Sequence, residues 1–220
     1  MYITLLLFGP TLMIFLGLQV MSSVPLTFTL FYGWLLCVPF LERTLKKNET
    51  FCSATSYMGF KQNSQSLKVG IWSGIIAFIS IFGGLAWLQR YVIDVDDLLV
   101  LLKEWGFTGN IVLWLILILV VINPILEELY WRGFMHQKLS SRFNTYVVFL
   151  LTTTFYSLYH LLSVIPMFEW PWNVFSVIPV FLAGLFWSYM RQKWNTIIGG
   201  IVSHVLADLG IIFVYLFFVA

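Results

Sequence analysis

Residues 111–140 read IVLWLILILVVINPILEELYWRGFMHQKLS. An almost unbroken apolar run, Ile111 to Val121, leads into two adjacent carboxylates, Glu127 and Glu128, and then into Arg132. About 20 mostly apolar residues in a helix span a bilayer, so this stretch is a membrane helix that carries three ionisable groups. Burying such a group costs about 2.5–3.5 kcal/mol on insertion scales, and the default reading of one at that depth is a functional site. Two further apolar stretches do the same. His160 ends Phe155-Tyr156-Ser157-Leu158-Tyr159-His160, and His204 and Asp208 lie between Ile197 and Ala220.

The rest of the chain agrees with a membrane setting. Of its 220 residues 60% are hydrophobic and 10% charged, and its mean hydropathy is +0.90, whereas soluble domains carry about 25% charged residues. A net charge of +2 and the lack of any Lys/Arg run exclude nucleic acid as a partner. Cys37, in an apolar span, and Cys52, in a polar connection, suggest neither a disulfide nor a metal cluster. The first twenty residues lack a basic start and a small-residue cleavage site, and read as a retained helix.

The fold class expected is all-α: a polytopic transmembrane bundle of about seven spans, near 2–21, 24–41, 69–89, 111–137, 145–165, 174–190 and 196–219. Residues 1–110 form N-terminal helices and connections, and residues 111–220 the catalytic core of four spans, within one integral bundle. Residues 42–68 read as a polar connection, and 91–109 as either an interfacial helix or an ordinary loop. Ten of the twelve basic residues fall on one side of this arrangement. The positive-inside rule makes that side cytoplasmic, with the N-terminus inside and the C-terminus outside.

Depth lets the polar groups meet. From the helix rise, Glu127 lies roughly 16 Å, His160 roughly 22 Å and His204 roughly 14 Å from the cytoplasmic ends of their helices, one band about 8 Å deep. Faces then separate the roles. Glu128 and Arg132 are four residues apart and pair on one face. Glu127 points about 100° away, without a local cation, and is the carboxylate free for chemistry. His204 with Asp208, and Tyr156 with His160, are also four apart. Asn123-Pro124, one turn earlier, removes a backbone hydrogen bond, so that either the freed carbonyl faces the site or the kink only opens room for it. Each element has a plainer reading: a structural ion pair, a core histidine or an interhelical contact. His136 reads as a surface histidine, the pairs Gly83-Gly84 and Gly199-Gly200 as packing sites, and most of the ten tryptophans as interface anchors or lipid-facing bulk.

A glutamate and a histidine can activate water, and a second histidine with a polar partner can stabilise an oxyanion. No nucleophile elbow surrounds Ser157 or Ser203, and H-E-x-x-H is absent. A zinc ion held by His160, His204 and Glu127 ranks second to metal-free chemistry. A proton relay or a non-catalytic scaffold is the alternative from another class. A relay in a transporter usually comes with repeated halves, whereas these residues occupy only the second half.

Glu127, Glu128 and Arg132 with Gly133, the segment ending at His160, and His204 to Asp208 together resemble the CPBP family of intramembrane endopeptidases, also called the Abi or type II CAAX-protease family. The resemblance covers roughly 111–212. It implies a glutamate-type protease active in the membrane, in which Glu127 and His160 activate water, His204 and Asp208 serve the oxyanion, and Glu128 and Arg132 support the site. It implies as partners the lipid bilayer and a membrane-associated protein or peptide substrate, such as a C-terminal sorting signal or a bacteriocin-type peptide. Leu161 and Leu162 stand where eukaryotic members carry extra histidines, which points to a prokaryotic inner or plasma membrane. Two positions depart from the pattern: Tyr156 replaces a phenylalanine, and Asp208 replaces the commoner asparagine. An ionised Asp208 would repel an oxyanion, so it either acts protonated or holds His204 as the cationic donor; the second is preferred.

Overall fold

The computed structural model describes residues 2–220, Arg90 by its backbone alone. The helices are α1 (Tyr2–Val20), α2 (Val24–Lys46), α3 (Phe51–Met58), α4 (Ser64–Val92), α5 (Val95–Glu104), α6 (Gly109–Ser140), α7 (Thr145–Val164), α8 (Val177–Trp194, entered through a single turn at Trp172–Phe175) and α9 (Ile198–Phe218). Seven of them, all but α3 and α5, are long and apolar enough to cross a membrane. The chain is thus an all-α polytopic bundle. The third span begins earlier than its hydropathy suggested, because Asn63 caps it by accepting from the Ser66 amide at 2.9 Å.

α6 is the axle of the bundle, packed by α2, α3, α7, α8 and α9. It is not a uniform rod. It widens into π-helix at Ile118–Ile122, just before Pro124, and again at Leu129–Met135. Pro124 brings no amide to the helix ladder, and the wider turn absorbs that loss without breaking the helix. The second π segment is buried throughout, from Leu129 to Met135.

Small residues let backbones touch. A Cβ on Gly199 would sit 2.2 Å from the Ser66 carbonyl oxygen, and one on Gly70 2.3 Å from that of Gly199, so α4 and α9 close on one another along these glycines. Gly83 and Gly84 differ from the packing expectation: nothing lies within 4 Å of a Cβ built there. Gly200 faces a carboxylate instead, as described below.

The connection at 42–68 is more ordered than its polarity suggested. Thr50 caps α3, and α3 lies so close to α6 that a Cβ on Gly133 would meet the Met58 carbonyl at 2.8 Å. Two bonds then tie this segment to the turn between α8 and α9: Ile197 N–H to the Gly59 carbonyl at 3.0 Å, and Thr196 Oγ1 to the Lys61 carbonyl at 2.6 Å. Within 91–109, α5 forms with Asp94 as its cap. Its far end is pinned where the Val24 amide donates to the Trp105 carbonyl at 2.8 Å, burying Leu102 and Trp105.

Two polar residues near helix ends lie inside, one of them the histidine expected at the surface. His136 is 3% exposed, with Nε2 3.1 Å from Gln192 Oε1, because α8 covers this end of α6. Arg191, one of the ten basic residues counted on the side expected to be cytoplasmic, is also buried. Its Nε donates to the Arg132 carbonyl at 2.9 Å and its Nη1 to Asn195 Oδ1 at 2.7 Å. It thereby takes up a carbonyl of the second π segment of α6. Trp105, Trp131 and Trp187 are buried too, while Trp72, Trp87, Trp114 and Trp170 face outward as expected.

Candidate active site

Glu127, Glu128 and Arg132 leave α6 toward α8 and α9, and all three are buried. Arg132 Nη1 donates to Glu128 Oε1 at 3.0 Å. Its second fork nitrogen, Nη2, donates to the Gly184 carbonyl on α8 at 3.1 Å. The guanidinium lies over the rings of Tyr156 (4.4 Å) and Trp187 (5.3 Å), a cation–π seat that a point charge would not fill as well. Gly184 makes this possible, since a Cβ there would stand 3.0 Å from Arg132 Nη2.

His204, on α9, is the hub. Its Nδ1 lies 3.5 Å from Glu128 Oε1, and its Nε2 lies 3.5 Å from Glu127 Oε2 and 3.6 Å from Asp208 Oδ1. These are ion-pair distances, longer than good hydrogen bonds, as is common at a site without substrate. The Tyr156 hydroxyl is 3.4 Å from the same Nε2, so the tyrosine that departs from the family pattern finds a partner here. The indole of Trp187 stacks on the imidazole at 4.2 Å, with planes 21° apart. Its Nε1 donates to Ser203 Oγ (3.1 Å), which also accepts from Ser73 Oγ on α4 at 3.0 Å. The ring of His204 is therefore fixed on one face by a partner that is itself hydrogen-bonded.

Glu128 is held tightly from behind: a Cβ on Gly200 would meet its Oε2 at 2.7 Å. Glu127 is different. Its carboxylate is buried beside the Tyr159 hydroxyl, and the cationic group facing its Oε2 is His204, at 3.5 Å. The two glutamates thus diverge as their helical faces required, and both converge on one histidine.

His160 stands apart. Its Nδ1 lies 2.9 Å from the Tyr156 carbonyl. A carbonyl only accepts, so Nδ1 carries a proton, and in the neutral ring Nε2 keeps its lone pair. The rings of Tyr156 and Tyr159 flank it, each at 4.6 Å. Among the described residues His160 forms no ion pair with Glu127; that contact belongs to His204. Nor do three His, Cys, Asp or Glu side chains among the described residues form a group suited to a metal ion.

Asn123 has more than a turn-opening role. Its Nδ2 donates to Asp208 Oδ2 at 3.3 Å, bridging α6 and α9 one turn before Glu127. Asp208 therefore faces an amide on one oxygen and His204 on the other. Asn123, Trp187, Gly184 and Gly200 were not legible as site residues. Asn123 was masked by its neighbour Pro124, and the others show no charge or spacing that separates them from packing residues. The pairs Glu128–Arg132 and His204–Asp208 were legible because each lies within one helix at four-residue spacing.

A search of curated proteins finds no match to the chain, and a search of solved structures finds none either. Residues 109–210 match the family described as type II CAAX prenyl endopeptidase, Rce1-like. That range runs from the start of α6 into α9 and contains every residue of the cluster except Ser73. That family is one of intramembrane proteases with peptide substrates, and residues 109–210 of this chain are similar to it.

Proposed function

We propose that the chain hydrolyses a peptide bond of a membrane-associated protein or peptide with water activated by Glu127 and His160, without a covalent intermediate or a metal. The observation that carries this reading is the Glu127 carboxylate: buried, divergent from the Glu128–Arg132 pair, and facing His204 across 3.5 Å rather than a cation of its own helix. A water placed between Glu127 and the bare Nε2 of His160 would give up a proton to the carboxylate as it attacks the carbonyl carbon. The protonated Glu127 then returns that proton to the leaving amine. His204 Nε2, with the Tyr156 hydroxyl beside it, is positioned to donate to the developing oxyanion.

In this reading Asp208 does not touch the oxyanion. It orients His204, and the Asn123 amide holds Asp208 in place. Glu128 serves His204 from the other ring nitrogen, and Arg132 offsets the charge of Glu128. The catalytic core is residues 111–220, with residues 1–110 as supporting helices. The substrate class we favour is a C-terminal sorting signal or a bacteriocin-type peptide in a prokaryotic plasma or inner membrane, with the chain's N-terminus in the cytoplasm.

The test is cleavage of a membrane-peptide library by purified protein, comparing wild type with Glu127→Ala and His160→Ala. Loss in both variants supports the mechanism, and equal cleavage by all three sinks it. Chelator treatment that abolishes genuine cleavage would favour the metal-dependent version. A proton relay predicts no cleavage by the wild type and proton flux that Glu127→Ala stops.

A further inference from the structure

A polar cavity lies away from the cluster, at the end of the bundle where α1 begins and α2 and α6 end. It encloses about 310 Å³ and is lined by Tyr2, Glu42, Lys46, Lys47, Lys138 and Arg142. Four cations and one carboxylate leave three positive charges in excess. The floor is already neutral: the Glu42 side chain, only 7% exposed, accepts from both Lys138 Nζ and the Tyr2 hydroxyl. The Tyr2 ring also seats Lys138 Nζ and Lys46 Nζ, at 4.9 Å and 4.8 Å from its centroid. The rim is not neutral. Among the described residues no salt bridge engages Lys46, Lys47 or Arg142.

We infer that this cavity binds the phosphate of an anionic phospholipid headgroup. Three observations carry it together: a formed cavity, an excess of cations on a locked floor, and its level in the bundle. It sits where three spans leave the apolar zone, the depth at which a lipid phosphate lies. Beside it the helices turn bare apolar side chains outward: Leu5, one turn in from Tyr2, is 52% exposed, and Leu41 and Leu45, around Glu42, are 52% and 72% exposed. A headgroup in the cavity leaves its acyl chains along that surface. A free phosphate would use the same cations but not the apolar flank. The bound lipid would tie α1 and α2 to the end of α6, the helix that carries Glu127.

The experiment is native mass spectrometry of the full chain released from vesicles of mixed phosphatidylcholine and phosphatidylglycerol. The wild type should retain phosphatidylglycerol in preference to phosphatidylcholine. Lys46→Gln/Lys47→Gln/Arg142→Gln should lose that preference, by about fivefold for each cation removed. Lys61→Gln/Lys68→Gln, changed outside this cavity, should keep it. Equal retention by the triple variant and wild type, or equal loss in the control, overturns the site. Displacement of the lipid by inorganic phosphate alone overturns the lipid as its ligand. If the triple variant loses helical content by circular dichroism, the single Lys47→Gln decides, with an expected drop of about fivefold; no drop overturns the proposal.

Discussion

Replacing Arg132 by glutamine should destabilise the centre of the bundle. Arg132 and Glu128 are both 0% exposed, paired at 3.0 Å. Removing one partner of such a buried pair costs about 3–5 kcal/mol, the lower end applying here because His204 Nδ1 stays 3.5 Å from Glu128 Oε1. For a chain of this length that corresponds to a fall of roughly 6–20 °C in melting temperature. Arg132→Lys should recover only part of it, because an ammonium cannot serve Glu128 and the Gly184 carbonyl with one planar fork or lie flat over Tyr156. The informative variant is Glu128→Gln/Arg132→Gln. Two neutral amides carry no unpaired charge, so the double variant should melt well above Arg132→Gln alone. It should still cleave peptide poorly, since His204 Nδ1 has lost its carboxylate. The assay is thermal unfolding in detergent beside peptide turnover for the two single variants and the double. A double variant as unstable as Arg132→Gln would refute the buried-pair reasoning.

Gly200→Ala should cost about 1–3 kcal/mol and lower turnover, because its methyl would meet Glu128 Oε2 at 2.7 Å and Glu128 is tethered to Arg132; unchanged melting and turnover would contradict this packing. Asp208→Asn should retain substantial proteolysis, since its role is to orient His204, and a folded but inactive Asn variant would count against that role. Asn123→Asp places a second carboxylate where an amide now meets Asp208 at 3.3 Å, and turnover should fall further than in Asp208→Asn; the reverse order in the same peptide assay would undo the bridge. Trp187→Ala removes both the ring stacked on His204 and the donor to Ser203, and melting should drop by the equivalent of about 3–5 kcal/mol, with Trp187→Phe losing less.

The seven spans were readable because length and apolarity are local properties, and the membrane demands a minimum run of both. Within one helix, spacing also worked: the divergence of Glu127 from Glu128 follows from a turn of about 100° per residue. What spacing cannot carry is which helices touch. His204 meeting both glutamates, Asn123 reaching Asp208 across 85 residues, and Ser73 bonding Ser203 across 130 are consequences of bundle packing. The same limit explains the errors. Arg191 and His136 sit near helix ends, where basic residues usually face water, yet α8 lies over this end of α6 and buries both. Gly83-Gly84 looks like a packing motif but meets no neighbour, whereas Gly200 does its work against a side chain rather than a backbone.

The account turns on Glu127 as the group that takes the proton from water. The most direct measurement is single-turnover cleavage of a defined membrane peptide by Glu127→Gln, with Glu128→Gln beside it and folding checked by thermal unfolding. Glutamine keeps the shape and cannot accept the proton, so Glu127→Gln should remain folded, bind peptide, and cleave about 10²–10⁴-fold more slowly. Cleavage by a folded Glu127→Gln within about tenfold of wild type would contradict the account.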